Sequence, residues 1–543
     1  MHVAAQIKMP TITLNKQDVL KQIGKSLSDE KLKDRISRLG TDLEEVTKGE
    51  ITVEIFPNRP DLLSSEGFSR ALASFIGTKK GLRTYSVKAS DYIAKIDKKT
   101  SKVRPFAVAA VVKDVNLTDE AIESLMQVQE KLHSTHGRNR KKASIGVYDL
   151  DKIKFPITYT TKPQSFKFTP LETNKPITLK QILEIHPKGK DHAYLLDNFK
   201  EYPIWIDANN QVLSMPPIIN SEETRVTEKT KNLFIDVTGT DKNTIEQALN
   251  IIVTSLAERN GKIYSVKIEK ETFPNLKPKK IKINRDYINK ILGLKLIDSQ
   301  IKTLVSKMGM DYKKPNVFYP AYRADILTQI DIAEDIAIAY GYENFKEELP
   351  NVSTIAQEDT FEIFKNKVAD ILVGFGLLET NTYNLTNKKS QSKLMNTEIN
   401  CVELENALNQ DYNVMRAWLT PSLLKVLSEN KHRELPQKIF EIGDVFTPEE
   451  KSRVCVLIAD SKVDYTYVRQ ILDSLLSELN LKYTIKETEH PSFIPGRVAR
   501  LSVKDKEVAY LGELHPKVLT NFELETPVAA FELNLSDLYN ILS

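Results

Sequence analysis

The stretch ITVEIFPNRPDLLSSEGFSRALASFIG, residues 51–77, sets the architectural class. Ile51, Val53 and Ile55 alternate with polar residues and predict a strand; Pro57 and Pro60 impose a turn; Leu72 and Phe75 ride a helix that Gly77 closes. Upstream, Ile12 to Leu14 reads as a short strand in a run opening at Met9. Val19 to Ile23 and Leu32 to Leu39 read as helices, with Gly40 as a C-cap. Strand, turn and helix in this order describe a small α+β unit. Residues 1–8 read as an extension or tag remnant.

Downstream, Lys79 to Pro105 is lysine-rich with weak periodicity and marks a boundary. A second domain begins near Arg104 with the β-rich run FAVAAVVKDV (106–115). A helix follows with Ile122, Leu125, Met126 and Leu132 on one face, ended by Gly137. Strands at Pro156 to Tyr159, Ile204 to Ile206 and Leu233 to Val237 precede a helix from Thr244 to Glu258. After Pro274 and Pro278 come a strand (Lys280 to Ile283), helices (Tyr287 to Leu292, Ser299 to Met308), a strand near Val317 and Phe318, and a helix (Ile330 to Tyr340), the outline of a winged helix-turn-helix. Glu347 to Asp359 is a second linker. Beyond it, helices (Phe361 to Val373, Leu423 to Lys431, Val468 to Leu479) alternate with strands (Val402 to Leu404, Lys438 to Glu441, Val454 to Ile458, Val508 to Leu511), which predicts an α+β domain around an antiparallel sheet.

The 543 residues, at roughly 150 per domain, make a multidomain chain. With 41% hydrophobic and 28% charged residues it is globular rather than disordered. Lys plus Arg (77) exceed Asp plus Glu (73) by 4, so any nucleic-acid surface is a local patch. Two cysteines, Cys401 and Cys455, make neither a disulfide framework nor a zinc ribbon and fit a reducing cytoplasm. No apolar run approaches the ~20 residues of a membrane span. Gly24-Lys25-Ser26 lacks the earlier glycine of a phosphate loop, since Val19 stands there.

Three groups of residues carry chemistry beside plainer explanations. In PAYRADILTQIDIAEDIAIAYGY (320–342), Asp325, Asp331, Glu334 and Asp335 present like charges at helical spacing, which repel unless a cation such as Mg²⁺ or a basic partner offsets them. Thr328 as a cap and the helix macrodipole favour the same acids without a metal, and spacing alone prefers that explanation. KLHSTHGRNRKK (131–142) offers His133, Arg138, Arg140 and Lys141 to RNA phosphates, or equally a solvated face. LSMPPIINSEETR (213–225) and DVTGTD (236–241) place Ser214, Asn220, Arg225, Asp236 and Thr238 on loops beside apolar strands. These types could seat a water and an ester carbonyl, although turn chemistry explains them on their own.

Together with MPTITLNKQDVL (9–20), LHSTHGRNRKKASIGVYDLD (132–151), MRAWLTPSLLKVLSENKHRELPQKIFEIGDVF (415–446) and LGELHPKVLTNFELETPVAAFEL (511–533), these segments resemble, in order, the beta subunits of phenylalanyl-tRNA synthetases of the shorter archaeal and eukaryotic type. The resemblance implies an α+β multidomain chain: a B1-like domain (9–95), a mixed α/β B3/B4-like editing domain (96–272), a winged-helix-like B5 domain (273–348) and a non-catalytic class II synthetase-like antiparallel-sheet core (349–543). It implies a cytoplasmic heterotetramer of two alpha and two beta subunits. In it alpha attaches phenylalanine to tRNA(Phe) with ATP, which alpha mainly binds, and beta contributes tRNA contacts. Arg416 sits in a motif-like setting, but no Gly-rich, Arg-terminated ATP motif accompanies it.

On the same resemblance, Asp325, Asp331, Glu334 and Asp335 hold Mg²⁺ in a site shared with alpha, and Ser214, Asn220, Arg225, Asp236 and Thr238 line a pocket that hydrolyses mischarged Tyr-tRNA(Phe). Such a pocket answers a chemical need, because a phenylalanine site excludes one added hydroxyl only modestly. Bacterial-type subunits carry an anticodon-binding extension that is not expected here, so His133 to Lys142 is placed near the acceptor end, and Arg59 and Arg70 are further tRNA candidates or simple packing residues. The alternatives are a free-standing RNA-binding or trans-editing protein, with a well-covered last domain, and a two-metal phosphoryl-transfer enzyme built on the acidic cluster. The synthetase subunit instead predicts a large apolar interface on the last domain.

Overall fold

Glu50–Glu54 is a strand, Pro60–Leu62 a single 3-10 turn and Ser65–Phe75 a helix, in the order the sequence pattern predicts. The helix ends because Gly77, at φ 86°, adopts the left-handed conformation. That lets the Gly77 and Thr78 N–H groups reach Ser74 O at 3.1 Å and Ala73 O at 3.0 Å. Phe68 and Leu72 are fully buried, contributing about 1.5–3 kcal/mol each. Glu50–Glu54 is the middle of an antiparallel sheet between Thr11–Asn15 and Asp42–Val46. The last strand, DLEEV, escaped prediction because its acids face outward.

This is the start of a computed structural model that describes residues 10–352 and 354–542; the expectation for residues 1–8 lies outside them. The chain divides between Glu348 and Leu349 into two units. The N-terminal unit is dominated by a ten-stranded sheet. Its order is Ile219–Asn220, Val212–Met215, Glu201–Ile206, Ile157–Pro163, Val87–Ile96, Lys262–Ile268, Phe106–Lys113, Leu233–Gly239, Ala143–Asp149, with Glu271–Phe273 paired to Lys262–Ile268. Helix Lys242–Glu258 packs on the buried strands Phe106–Lys113 and Leu233–Gly239, and helix Asp119–Ser134 lies beside it.

Val87–Ile96 departs from expectation: it falls in the lysine-rich stretch read as a boundary, yet pairs in parallel with both neighbours. Among its side chains only Ala94 is buried, so no apolar alternation betrays it. Helices Arg285–Leu292, Asp298–Lys307 and Gln329–Tyr340 accompany a small sheet in the order Lys279–Lys282, Asn316–Tyr319, Asp311–Lys313.

The C-terminal unit is built on seven strands in the order Leu378–Glu379, Gln437–Phe446, Glu450–Ala459, Val528–Asn534, Lys506–Leu514, Phe493–Val503, Thr484–Glu487, antiparallel except at the first pair. Helices Thr360–Gly374, Tyr465–Glu478 and Leu535–Leu542 bury one apolar face, and Thr420–Glu429 and Pro516–Asn521 the other. The strand expected at Val402–Leu404 reduces to one bridge between Glu403 and Val414, with Val402 and Leu404 exposed.

Candidate functional site

A cavity of about 410 Å³ opens beside strands Ala143–Asp149, Leu233–Gly239 and Val212–Met215. Asp236 lies at its floor because Leu233–Gly239 runs between two antiparallel neighbours, opposite Ala109 on one side and Gly146 on the other. The Tyr148 hydroxyl donates to Asp236 Oδ1 at 2.5 Å and lies 2.7 Å from Ser214 Oγ, whose hydrogen completes the pair. Gly146 makes this possible: a Cβ there would overlap the Tyr148 hydroxyl and the Asp236 carboxyl. Phe234 stacks on the Tyr148 ring at 5.7 Å.

Burial pushes the Asp236 carboxyl up to about 7, outweighing Tyr148, the nearby Trp205 indole and Arg104, all of which favour the anion. The carboxyl therefore changes charge near neutrality, where a proton acceptor is most useful. Burial and the Asp236 charge keep the Tyr148 phenol neutral. Asn220 anchors its amide on Val147 O at 3.2 Å and lines the same cavity. Ile122, Leu125, Met126 and Val147 form apolar wall, which explains why Met126 stays 61% exposed on a helix face expected to be core.

The other predicted residues divide. Arg225 sits at the rim, more than half exposed, paired with Glu222 at 3.2 Å. Thr238 does not line the cavity: it is fully buried, and its hydroxyl and carbonyl accept from Arg104 at 2.9 and 2.6 Å. Arg104 is itself almost wholly buried, so this pair joins strands rather than serving a ligand.

The basic loop separates in the same way. Arg138, Asn139 and Arg140 all have positive φ, 48°, 51° and 66°, a turn that leaves Arg138 and Lys141 exposed and sends Arg140 inward. Arg140 donates to Ile218 O at 2.8 Å, Pro217 O at 3.2 Å and Glu130 at 2.8 Å, clamping the loop that follows Ser214. Arg140 is thus a positioning group, not an exposed phosphate ligand. His133 is buried, accepts the Ile145 N–H at 2.8 Å through Nε2, and is held neutral by burial, its pKa lowered to about 4. With Nε2 engaged, it is neither a cationic RNA contact nor a base for Ser214. The arrangement offers an aromatic-sized cavity, a hydroxyl-recognising carboxyl and polar groups for a water, with no nucleophile–base dyad.

The four acids of the third segment do not converge on a metal. Arg323 donates to both oxygens of Asp325, at 2.8 and 2.6 Å, and to Asp335 at 2.8 Å. Asp331 accepts the Leu327 and Thr328 N–H groups in a capping box. Burial would raise the Asp325 carboxyl, but Arg323 brings it below its ordinary value, while Asp335, wholly buried, stays above it. Glu334 is exposed overall but partly enclosed at its carboxyl, and this desolvation and then the charges of Asp335, Asp325 and Asp331 raise it. Among the described residues no group of three or more His, Cys, Asp or Glu side chains could hold a metal ion. These residues therefore do not fit Mg²⁺ on their own.

Arg59 and Arg70 are likewise buried rather than displayed to RNA: Arg59 pairs with Asp61 at 2.9 Å, and Arg70 lies 3.7 Å from the Tyr322 ring centroid. In the C-terminal unit Arg416 is locked to Glu441 at 2.5 Å, Asp444 O at 2.7 Å and Thr382 Oγ1 at 2.9 Å. These bonds engage Nε and Nη1 and tie the side chain to its own sheet and loops. That unit also exposes large apolar side chains, among them Leu349 at 97%, Ile355 at 96%, Leu408 at 87% and Tyr383 at 78%.

Sequence reasoning passed over Tyr148, Gly146, Glu130 and Arg323. Gly146 and Tyr148 share one strand face in SIGVYD, and Arg323 stands two residues before the first acid of its segment; both were readable signals.

Four family models match in series: the Phe-tRNA synthetase beta subunit B1 domain over residues 9–78, the B3/4 domain over 89–262, the tRNA synthetase B5 domain over 281–342 and the phenylalanyl tRNA synthetase beta chain CLM domain over 346–535. The chain is 41% identical to the phenylalanine-tRNA ligase beta subunit of Thermococcus onnurineus, covering 98% of this chain and 99% of that protein. It is 41% identical to that of Pyrococcus abyssi over 98% and 100%, and 39% identical to that of Archaeoglobus fulgidus over 98% and 99%. The crystal structure of an N-terminal fragment of the phenylalanyl-tRNA synthetase beta subunit from Pyrococcus horikoshii aligns with a TM-score of 0.58 at 40% identity, covering 61% of this chain and 99% of the fragment.

Proposed function

The chain belongs to the phenylalanine-tRNA ligase beta-subunit family, and from that premise we propose that it supports attachment of phenylalanine to tRNA(Phe) by an alpha subunit and itself hydrolyses mischarged Tyr-tRNA(Phe). The near full-length identity to three beta subunits carries the first role. The cavity floored by Asp236 carries the second: its carboxyl accepts a hydrogen bond from a phenol in the chain itself, Tyr148, and a substrate tyrosine offers the same donor. Asp236 and Ser214 recognise that hydroxyl, Asn220 orients the ester or the attacking water, and Arg140 fixes the loop carrying Pro217 and Ile218. A phenylalanyl ester brings no hydroxyl to exchange into these hydrogen bonds, which discriminates against it.

We read the chain as four domains, with the seven-stranded sheet as a class II-like core without catalysis of its own and residues 273–348 as a winged-helix-like B5 domain. The engaged state of Arg416 supports a non-catalytic core. ATP then belongs to alpha, within a heterotetramer of two alpha and two beta subunits. The exposed apolar side chains of the C-terminal unit supply a surface for alpha and count against a free-standing protein. A Mg²⁺ site at Asp325, Asp331, Glu334 and Asp335 needs ligands from alpha and release of Arg323. Glu334, the unpaired acid, is where it would begin. Arg138 and Lys141, both exposed, are the phosphate contacts that remain on the basic loop. No helix among the described residues is long and apolar enough to cross a membrane, and a cytoplasmic location accords with this role.

The test is purification with and without alpha, followed by phenylalanine charging and Tyr-tRNA(Phe) hydrolysis. Charging only in the complex, with hydrolysis lost in Asn220→Ala, supports both roles. Charging by the chain alone overturns the first, and charging without hydrolysis overturns the second.

A further inference from the structure

A second cleft, of about 560 Å³, lies away from the Asp236 cavity, between helix Lys16–Ile23, helix Ser65–Phe75 and the end of helix Lys242–Glu258. Its charges do not cancel. Asp18 is matched by Arg259 at 2.7 Å. Glu258 accepts from the Tyr85 hydroxyl, which in turn accepts from Arg70 Nη1 at 3.0 Å. Glu120, in the first turn of helix Asp119–Ser134, is lowered by its own backbone N–H and the Thr118 hydroxyl, so it serves the helix end. Lys21, Lys79 and Arg83 remain without an ion pair among the described residues, and the one side-chain hydrogen bond of Lys79 is a long 3.4 Å contact to Gln22 O.

A second observation points the same way. Arg70 Nη2 and Arg83 Nε are buried and find no acceptor among the described residues. Arg70 is only 4% exposed, and both side chains line the cleft. A buried guanidinium N–H without an acceptor is costly, and an external acceptor in the cleft would relieve that cost. Two of them beside two unpaired ammonium groups ask for one ligand with several acceptor oxygens and more than one negative charge. A carboxylate has two oxygens and a single charge. A phosphate monoester has three oxygens and nearly two charges, and suits guanidinium forks and ammonium points together.

We propose that this cleft binds a small molecule carrying a phosphate monoester, held by Lys21, Arg70, Lys79 and Arg83. The recess admits a compact ligand rather than a polymer, since its deepest cation, Arg70, is enclosed on its other side by Tyr85 and Tyr322. The site is separate from aminoacyl-ester chemistry and stands whether or not the Asp236 cavity edits.

The experiment is isothermal titration calorimetry of the full chain with inorganic phosphate and with adenosine 5′-monophosphate, in chloride buffer free of phosphate and sulfate. Saturable binding of either probe, weakened about tenfold or more in the Lys79→Met, Arg83→Met double variant, is the expected result. Because Lys79 is exposed and the Arg83 Nε has no internal acceptor to lose, the thermal midpoint should stay unchanged. Phenylglyoxal modification of Arg83, mapped by mass spectrometry on the unaltered chain, gives a readout that no folding defect can mimic: phosphate should protect it. Tighter binding of the monophosphate than of phosphate assigns a nucleotide, and equal binding assigns the bare phosphate group. Absent binding, binding indifferent to the double variant, equal affinity for sulfate marking an adventitious ion only, or displacement of phosphate by tRNA would each overturn the proposal.

Discussion

Two buried carboxyls in the N-terminal unit have opposite surroundings. Asp236 meets neutral hydroxyls, from Tyr148 and through it Ser214, and its nearest guanidinium, Arg104, is turned to Thr238 instead. Asp325 meets Arg323 through two hydrogen bonds, and the same guanidinium holds Asp335. Burial raises both, but only at Asp325 does a cation reverse it. Where a guanidinium outweighs burial, as at Asp325, the carboxyl is fixed in charge and serves the fold; one among hydroxyls keeps a proton equilibrium near neutrality and can serve chemistry.

Breaking the comparison on its structural side should give the largest effect. Arg323→Met deprives Asp325 and Asp335 of the guanidinium that hydrogen-bonds both, leaving only the Arg59 charge nearby, and should cost about 3–5 kcal/mol, read as a lower urea midpoint; an unchanged midpoint would show the triad to be dispensable. On the chemical side, Asp236→Asn should slow Tyr-tRNA(Phe) hydrolysis about hundredfold while phenylalanine charging in the complex stays within about twofold.

The proton equilibrium sharpens the contrast. The folded-state pKa of Asp236, about 7, lies above the ordinary 3.8. Its protonated form therefore stabilises the fold fully below about 4, and that contribution is lost as pH rises towards 7. Wild type minus Asp236→Asn stability, from urea unfolding at pH 5 and pH 8, should fall at the higher pH by a few kcal/mol, and a difference independent of pH would sink this assignment. His133 works in the other direction: held neutral, with its pKa at about 4, it adds stability above about 6.5 that is lost as pH falls towards 4.

Smaller effects belong to groups that act through others or at the surface. Arg140→Met frees the carbonyls of Pro217 and Ile218 and should reduce hydrolysis about tenfold, mostly through kcat. Arg138→Ala with Lys141→Ala should weaken tRNA(Phe) binding only about two- to fivefold, more at low salt, as measured by filter binding at two ionic strengths.

Where burial follows apolar pattern, the sequence was a good guide. Phe106–Lys113, Leu233–Gly239 and helix Lys242–Glu258 appear within a few residues of their predicted ends, because each carries an apolar cluster, AVAAVV, LFI and LNIIV, at its centre or start. Val87–Ile96 was illegible because its parallel neighbours supply the pairing while Lys88, Asp91 and Lys95 give it a polar surface. At the site, Ser214, Asn220 and Asp236 line one cavity, but each lies on a strand of one sheet and not on the loops expected, because their polar side chains hid the strand pattern. Thr238 and Arg140 mislead for a different reason: residue type marks a polar side chain but not its partner. Arg104, more than a hundred residues earlier in the chain, and the Pro217 carbonyl become neighbours only in the fold. The acids at 325–335 show the reverse, where the helix-cap explanation that spacing preferred holds for Asp331.

Gly146 has no side chain to titrate or donate, yet it sets the distance between the two hydrogen-bonded groups beside it. On the editing assignment, a single methyl group at that position would unseat Tyr148 from Asp236 and leave the C-terminal unit untouched. Proofreading and charging could then drift apart through one codon, letting a lineage trade translational fidelity without altering how fast its tRNA is charged.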